Sequence, residues 1–191
     1  MKHEIYYATS NEGKFEEVKS YLSRFDASIQ FKQFEVEIEE IQTLDQKAIS
    51  IDKAQKAWMI LKKPLLVDDG GIYFEGYNQF PGTLSKYVFE GIGYEGLFKL
   101  VDENHKAFFK MHMAYADEQG IEVFEAIVHG KIIKPHTLKA HQKLPFDSIF
   151  VPEGSDKSYA SMRGTADFDD RFGYRQQAFK KFLAWYKAHR E

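Results

Sequence analysis

The sequence predicts an α/β fold, a mixed β-sheet with helices on both faces, and the order of its apolar patterns predicts it. Short apolar runs of the buried-strand type, Ile5–Ala8 and Leu65–Val67, alternate with segments whose apolar residues recur at helical spacing. Two longer β-like stretches, Ala107–Ala116 and Ile121–Ile133, then follow one another across the turn Asp117-Glu118-Gln119-Gly120, as a hairpin does. A final amphipathic segment closes the chain, so helices and strands interleave along its length.

The elements follow in order. Ile5-Tyr6-Tyr7-Ala8 reads as a short buried strand, and Phe15, Val18, Leu22 and Phe25 mark a helix after the turn Thr9–Lys14. Ile29–Ile38 alternates apolar and polar residues and reads as extended. Leu44, Ala48, Ile51, Ala54 and Leu61 then mark one face of a long helix, with Pro64 as its stop signal. Leu65-Leu66-Val67 is expected to be a strand that ends in Asp68-Asp69-Gly70-Gly71, where α/β proteins place chemistry. Phe80-Pro81-Gly82 reads as a turn, Leu97–Val101 as part of a helix and Phe146–Val151 as one more strand. Phe172, Phe179, Phe182, Leu183 and Tyr186 define the last helix, and Lys187, His189 and Arg190 in its final turn suit the negative end of its dipole.

Composition narrows the function classes. At 191 residues the chain can bury a substantial core, and without repeats or a Ser/Gly-rich linker it is expected to form a single domain, residues 1–191. The absence of cysteine excludes a disulfide framework, a thiolate metal site and a cysteine nucleophile. No apolar run approaches the roughly 20 residues that span a bilayer, and Met1-Lys2-His3-Glu4-Ile5 enters a strand without a signal-peptide core, so no membrane and a cytoplasmic location are expected. The net charge of −3, with both signs spread along the chain, predicts no nucleic-acid surface. The 17 Phe and 11 Tyr recur mostly at strand or helix spacing, which assigns most of them to the core.

Chemistry concentrates in two places. A turn of small and polar residues before a helix, Thr9-Ser10-Asn11-Glu12-Gly13-Lys14, brings free N–H groups, the positive helix end and a lysine together, as a phosphate site requires. It lacks the spacing of a Walker loop, and an ordinary N-cap by Ser10 or Asn11 accounts for much of the same turn. The second place is acidic: Asp68 and Asp69, with Glu39 and Glu40 ahead of the long helix. Paired oxygen ligands suit Mg²⁺, which keeps several waters and binds through one or two carboxylates plus substrate phosphates. A turn at Asp-Asp-Gly-Gly and a solvated face at the glutamates explain the same residues separately.

Taken together, these segments resemble a family. Thr9-Ser10-Asn11-Glu12-Gly13-Lys14-Phe15-Glu16-Glu17 is similar to the T-[GS]-N-x-x-K-x-x-E opening of the inosine triphosphate pyrophosphatases, and Leu66–Ile72 resembles their acidic strand end. Glu40-Ile41-Gln42, Ile49–Ala54, Phe80-Pro81-Gly82, Ser85-Lys86-Tyr87, Glu95-Gly96-Leu97, Gly130-Lys131-Ile132, Phe146–Phe150, Lys157–Met162 and Arg175 continue the match in order over nearly the whole chain. The resemblance implies an elongated central mixed sheet flanked by helices, in two lobes with a cleft between them, and a homodimer. It implies Mg²⁺-dependent hydrolysis of ITP, dITP or XTP to monophosphate and pyrophosphate. Carried over by position, Thr9, Ser10, Asn11 and Lys14 would cradle the triphosphate, Glu40 and Asp69 would hold Mg²⁺, and Asp69 would accept the proton of the attacking water. Lys53 and Lys86 would meet phosphate oxygens.

The departures fall on base recognition. Gly70 stands where the family has a Ser or Thr, and Leu144-Pro145-Phe146-Asp147-Ser148 replaces Phe-Gly-[WY]-Asp-Pro, which puts Leu144 at the position of a stacking aromatic. Asp169 falls at the base-reading lysine, and Gly173-Tyr174-Arg175 replaces Ser-His-Arg. Phe146, Asp147, Tyr174 and Arg175 are thus the residues left to meet the base, Tyr174 by stacking and Arg175 at a carbonyl. An aspartate repels a carbonyl oxygen but accepts from an exocyclic amine, so the base preference is expected to be altered. The alternatives are a pyrophosphatase of the related septum-inhibition type acting on modified pyrimidine nucleotides, or a catalytically weak nucleotide sensor.

Overall fold

The computed structural model describes residues 3–23, 29–136, 138 and 144–190. Strands β1 (His3–Ala8), β2 (Ile29–Phe34), β3 (Leu65–Phe74), β4 (Lys106–Asp117), β5 (Gly120–Ile132) and β6 (Phe150–Pro152) form one sheet in the order β2-β1-β3-β4-β5-β6. Helices α1 (Glu12–Ser23), α2 (Gln46–Leu61), α3 (Ser85–Leu100), α4 (Tyr159–Met162) and α5 (Tyr174–Arg190) complete the architecture. β1 pairs in parallel with both β2 and β3, whereas β5 and β6 are antiparallel, so the sheet is mixed as predicted. Among the described residues no helix is long and apolar enough to cross a membrane.

The chain divides into two compact units. The first comprises Met1–Asp69, Met111–Ala126 and Arg175–Glu191. Strand alternation sends Ala8, Leu65, Val67, Ala114 and Ala116 to one face, where they pack with Ala54 and Ala57 of α2. The intervening residues point the other way. There Phe31 meets Phe179 of α5 with ring centroids 5.5 Å apart, Tyr21 of α1 meets the same ring at 6.1 Å, and Tyr115 meets Phe182 at 5.4 Å. The second unit comprises Gly70–Lys110 and Ile127–Tyr174. Its core is aromatic: Phe109 stacks on Tyr159 at 5.4 Å and on Tyr174 at 4.9 Å, and meets Phe150 edge-on at 4.9 Å.

Several expectations shift in the folded chain. Asp68–Gly71 lies inside β3 and does not end it; the strand end at this level belongs to β1, which stops at Ala8. The glycines are not a turn signal. A Cβ on Gly71 would lie 2.2 Å from the carbonyl oxygen of Gly82, so the position needs glycine for close backbone approach. In α2, Asp45 is the N-cap and its carboxylate accepts from Ala48 N at 3.1 Å, which leaves Leu44 outside the helix and 47% exposed. The buried face is Gln46, Ile49, Ser50, Ala54 and Ala57, because small residues let the helix approach the sheet closely. Lys62 closes α2 in the left-handed region, just before Pro64.

Other boundaries move as well. The extended segment Ile29–Ile38 is strand only to Phe34, although Val36 and Ile38 still pack on the core. The helix around Leu97 begins at Ser85 and kinks at Gly93, where φ is 58°. Phe146–Val151 is a 3-10 turn, Pro145–Ser148, followed by the short β6. Phe172 belongs to a π turn, Phe168–Phe172, ahead of α5. Phe25 lies outside the described residues.

Candidate active site

The site forms where β1 ends. β1 sits between β2 and β3, so the chain leaves it through α1 toward one neighbour and returns on its other side, the kind of switch point where open α/β sheets bind ligands. Thr9 Oγ1 accepts from Asn11 N at 3.1 Å, and Asn11 Oδ1 accepts from Lys14 N at 3.2 Å, which caps α1. That cap satisfies one of the four N–H groups that a helix start leaves without an internal partner. Ser10 is exposed at the tip of this turn. The N-cap expected of Ser10 or Asn11 therefore falls to Asn11, at the same turn that carries Lys14.

Asp68 and Asp69 are neighbours in β3 whose side chains the pleat sends to opposite faces. Asp68 points to the face covered by α1 and α5, where it is 4% exposed. Its Oδ1 accepts from Lys14 Nζ at 2.7 Å, and its Oδ2 accepts from Tyr7 OH at 2.5 Å and from Arg175 Nε at 2.8 Å. Burial alone would raise its pKa, but Lys14 and Arg175 outweigh burial and hold the carboxyl well below the usual range. Tyr7 is shifted upward by its own burial and then by the charge of Asp68, so it remains a hydrogen-bond donor.

Asp69 points to the α2 face. Its Oδ2 is buried without a hydrogen-bond partner. Burial chiefly, opposed by Lys53 and Lys14 and reinforced by Glu40 and Asp68, pushes its pKa up to about 6. Lys53 of α2 donates to Glu40 Oε1 at 2.8 Å and to the Asp68 carbonyl at 3.1 Å. Burial works against the lysine's charge, but Glu40, Asp69 and Asp68 outweigh it and raise its pKa above the ordinary value. Glu40 is half exposed.

The first unit thus brings together Thr9, Ser10, Asn11, Lys14, Glu40, Lys53, Asp69 and Arg175. Gly70, next to Asp69 in the chain, is exposed and begins the second unit's share of β3. The other expected residues belong to the second unit. Lys86 is exposed at the start of α3, 4.0 Å from Glu90. Phe146 is buried edge-on against Phe89 at 5.8 Å, and Asp147 accepts from Arg163 Nε at 2.5 Å. Tyr174, expected to stack on a base, is 7% exposed and packed on Phe109. Arg175, expected at a base carbonyl, gives Nε to Asp68 and Nη1 to Glu17 at 2.5 Å.

Sequence reasoning named Asp68 beside Asp69 as an acidic candidate but not as the partner of Lys14 and Arg175, and it did not single out Tyr7 or Glu17 as partners of the site. Tyr7 read as strand filler, because nothing in the sequence tells where a buried hydroxyl points. Glu17 carried a signal as the last residue of the motif that opens at Thr9.

The donor set can be tested against a divalent cation. Among the described residues no three His, Cys, Asp or Glu side chains converge as a preformed metal cage. A buried, unpartnered carboxylate oxygen on Asp69, coupled electrostatically to Glu40, nevertheless fits an ion held by two carboxylates with water and phosphate filling its remaining positions.

The chain is similar to known proteins over nearly its whole length. A dITP/XTP pyrophosphatase from Korarchaeum cryptofilum is 37% identical over 177 residues, covering 92% of this chain and 91% of that protein. One from Hyperthermus butylicus is 32% identical over 188 residues, covering 97% and 95%. Among solved structures, a HAM1 protein from Coxiella burnetii superposes with a TM-score of 0.77 at 20% identity, covering 97% of this chain and 99% of that one. The Ham1 protein of Staphylococcus aureus gives 0.71 at 19%, covering 98% and 100%. The Ham1 family model matches residues 5–185, and the chain belongs to the Ham1 family.

Proposed function

We propose that this protein hydrolyses non-canonical purine nucleoside triphosphates of the dITP/XTP kind to the monophosphate and pyrophosphate, with Mg²⁺. The observation that carries the reading is the split between Asp68 and Asp69. One carboxylate is saturated by Lys14, Arg175 and Tyr7, while the other keeps a buried oxygen without a partner and a pKa near neutrality. Two adjacent carboxyls with opposite tendencies mark an anchor and a proton acceptor. Relatives across most of the chain's length that are named dITP/XTP pyrophosphatase support the substrate class.

In this reading the phosphates dock against the first turn of α1. Lys14 and Lys53 supply positive charge where negative charge develops on the transferring group, and the burial of most of the Lys53 side chain makes its charge count for more. Asp69 and Glu40 would hold Mg²⁺, which when bound neutralises phosphate charge and acidifies water. Asp69 accepts the proton from water as its oxygen attacks the α-phosphorus, the bond from that phosphorus to the bridging oxygen breaks, and pyrophosphate leaves. The assay is pyrophosphate release from dITP, XTP and ITP with and without EDTA. Equimolar monophosphate and pyrophosphate, abolished by the chelator and restored by Mg²⁺, are expected. Stepwise release of orthophosphate, or turnover indifferent to EDTA, would overturn the reading.

A further inference from the structure

The proposal concerns Asp68, and it rests on the phosphate site assigned above. Asp68 has two oxygens and three donors on them, all from different elements: Tyr7 from β1, Lys14 from α1 and Arg175 from α5. Arg175 is itself clamped from behind by Glu17 of α1, which also accepts from Gln176 Nε2 at 2.8 Å. Asp68 lies on the sheet face opposite Asp69, so the two carboxylates do not share a ligand position through their side chains. Nor does Asp68 have the unpartnered buried oxygen that Asp69 keeps.

We infer that Asp68 is a positioning residue, which neither binds the cation nor takes a proton but fixes the Lys14 ammonium for the triphosphate, with Tyr7, Arg175 and Glu17 holding the carboxylate in place. A lysine ammonium has three donors. One of them is on Asp68, and the stem of Lys14 rises from the first turn of α1, so this bond sets where the remaining two point. Without it a four-carbon chain samples many rotamers and the charge is no longer delivered to one place. Arg175 acts on the same point indirectly. Its fork spans Asp68 and Glu17, which ties the C-terminal helix to the strand and to α1 and keeps Asp68 from swinging after its lysine.

A double-mutant cycle tests this on the full-length protein. Kinetics of dITP hydrolysis are measured for Lys14→Ala, Asp68→Asn, Glu17→Gln and the pairs Lys14→Ala/Asp68→Asn and Lys14→Ala/Glu17→Gln. Each single change is expected to lower kcat/KM by about tenfold or more, and each pair by little more than Lys14→Ala alone, because residues acting through one group are not additive. Calorimetry should show the monophosphate binding Asp68→Asn within about threefold of wild type while triphosphate binding weakens. Mg²⁺ should still raise the melting temperature of Asp68→Asn. Multiplying losses in both pairs, or an Asp68→Asn protein whose melting no longer responds to Mg²⁺, would overturn the inference. Should Asp68→Asn fail to fold, the Glu17→Gln pair decides it. If the wild type releases no pyrophosphate from any nucleotide, the proposed reaction fails, and the same cycle read on binding of an α,β-imido triphosphate still judges the role of Asp68.

Discussion

At Asp68 and Asp69 one peptide bond separates two carboxyls with opposite consequences for stability. Asp68 is ionised and triply hydrogen-bonded, so its contribution is present above the ordinary carboxylate pKa and is lost as pH falls through and below it. Asp69 has the reverse sign. Its folded-state pKa of about 6 lies above that of the unfolded chain, so the metal-free protein loses stability as pH rises from about 4 to about 6. Asp69→Asn should therefore stabilise the EDTA-treated protein at pH 7, by about 1 to 3 kcal/mol, while removing turnover by roughly 10²- to 10⁴-fold. Asp68→Asn should cost about 3 to 5 kcal/mol, as expected when a buried ion pair loses one partner. Urea unfolding of both variants beside wild type checks the pair; equal destabilisation would mean that Asp69 is not held against its own ionisation. Mg²⁺ should raise the melting temperature of wild type at pH 7.5, have little effect at pH 5 where Asp69 keeps its proton, and have none on Asp69→Asn.

Among the elements, β3 and α2 set the site, and each was legible in part. The helix was evident from its apolar period, and of the face it predicts Ala54 and Leu61 do pack with Leu65 and Val67, but Leu44 lies outside the helix and Ala57, which was not named, makes the close contact beside Ala54. Size in the sequence does not reveal which side of a helix lies nearest a sheet. In β3 the run Asp-Asp-Gly-Gly has the composition of a turn, and the strand continues because Gly71 admits the Gly82 backbone. Gly71→Ala should lower stability by about 1 to 3 kcal/mol or more, since the clash is with a carbonyl and not with a pliable side chain. Thermal unfolding measures this, and a loss under about 0.5 kcal/mol would show that the Gly82 segment moves aside at little cost. Placing Asp68 inside a strand also matters chemically, because only a continuing pleat separates its side chain from that of Asp69.

For the whole molecule, the residues proposed for phosphate lie in the first unit, Lys86 apart, and of those expected at the base Leu144, Asp169 and Tyr174 lie in the second unit and Arg175 in the first. Tyr174 is packed on Phe109, so it does not replace the missing stacking ring in this conformation. Base stacking is worth about 1 to 3 kcal/mol and a hydrogen bond to a charged group roughly 1.5 to 3, so the ratio of kcat/KM for ITP over ATP should fall at least about tenfold below that of a relative with Lys and aromatic at these positions. Asp169→Lys should raise the ratio. Strong native selectivity for ITP, unchanged by that substitution, would place base reading on other residues. The sequence by itself determined the α/β class, the order of the elements, the hairpin, the helix start at Ser10 or Asn11 with its lysine, and the pairing of acidic residues with a phosphate-like turn, because these depend on local period and spacing. The tertiary structure alone decided that adjacent carboxylates face opposite sides of a sheet, that Arg175 reaches across 107 residues of chain to Asp68, and that Tyr7 and Glu17 complete the network. Ion pairs between residues distant in sequence depend on the register of strands and the docking of helices, and no local pattern encodes either.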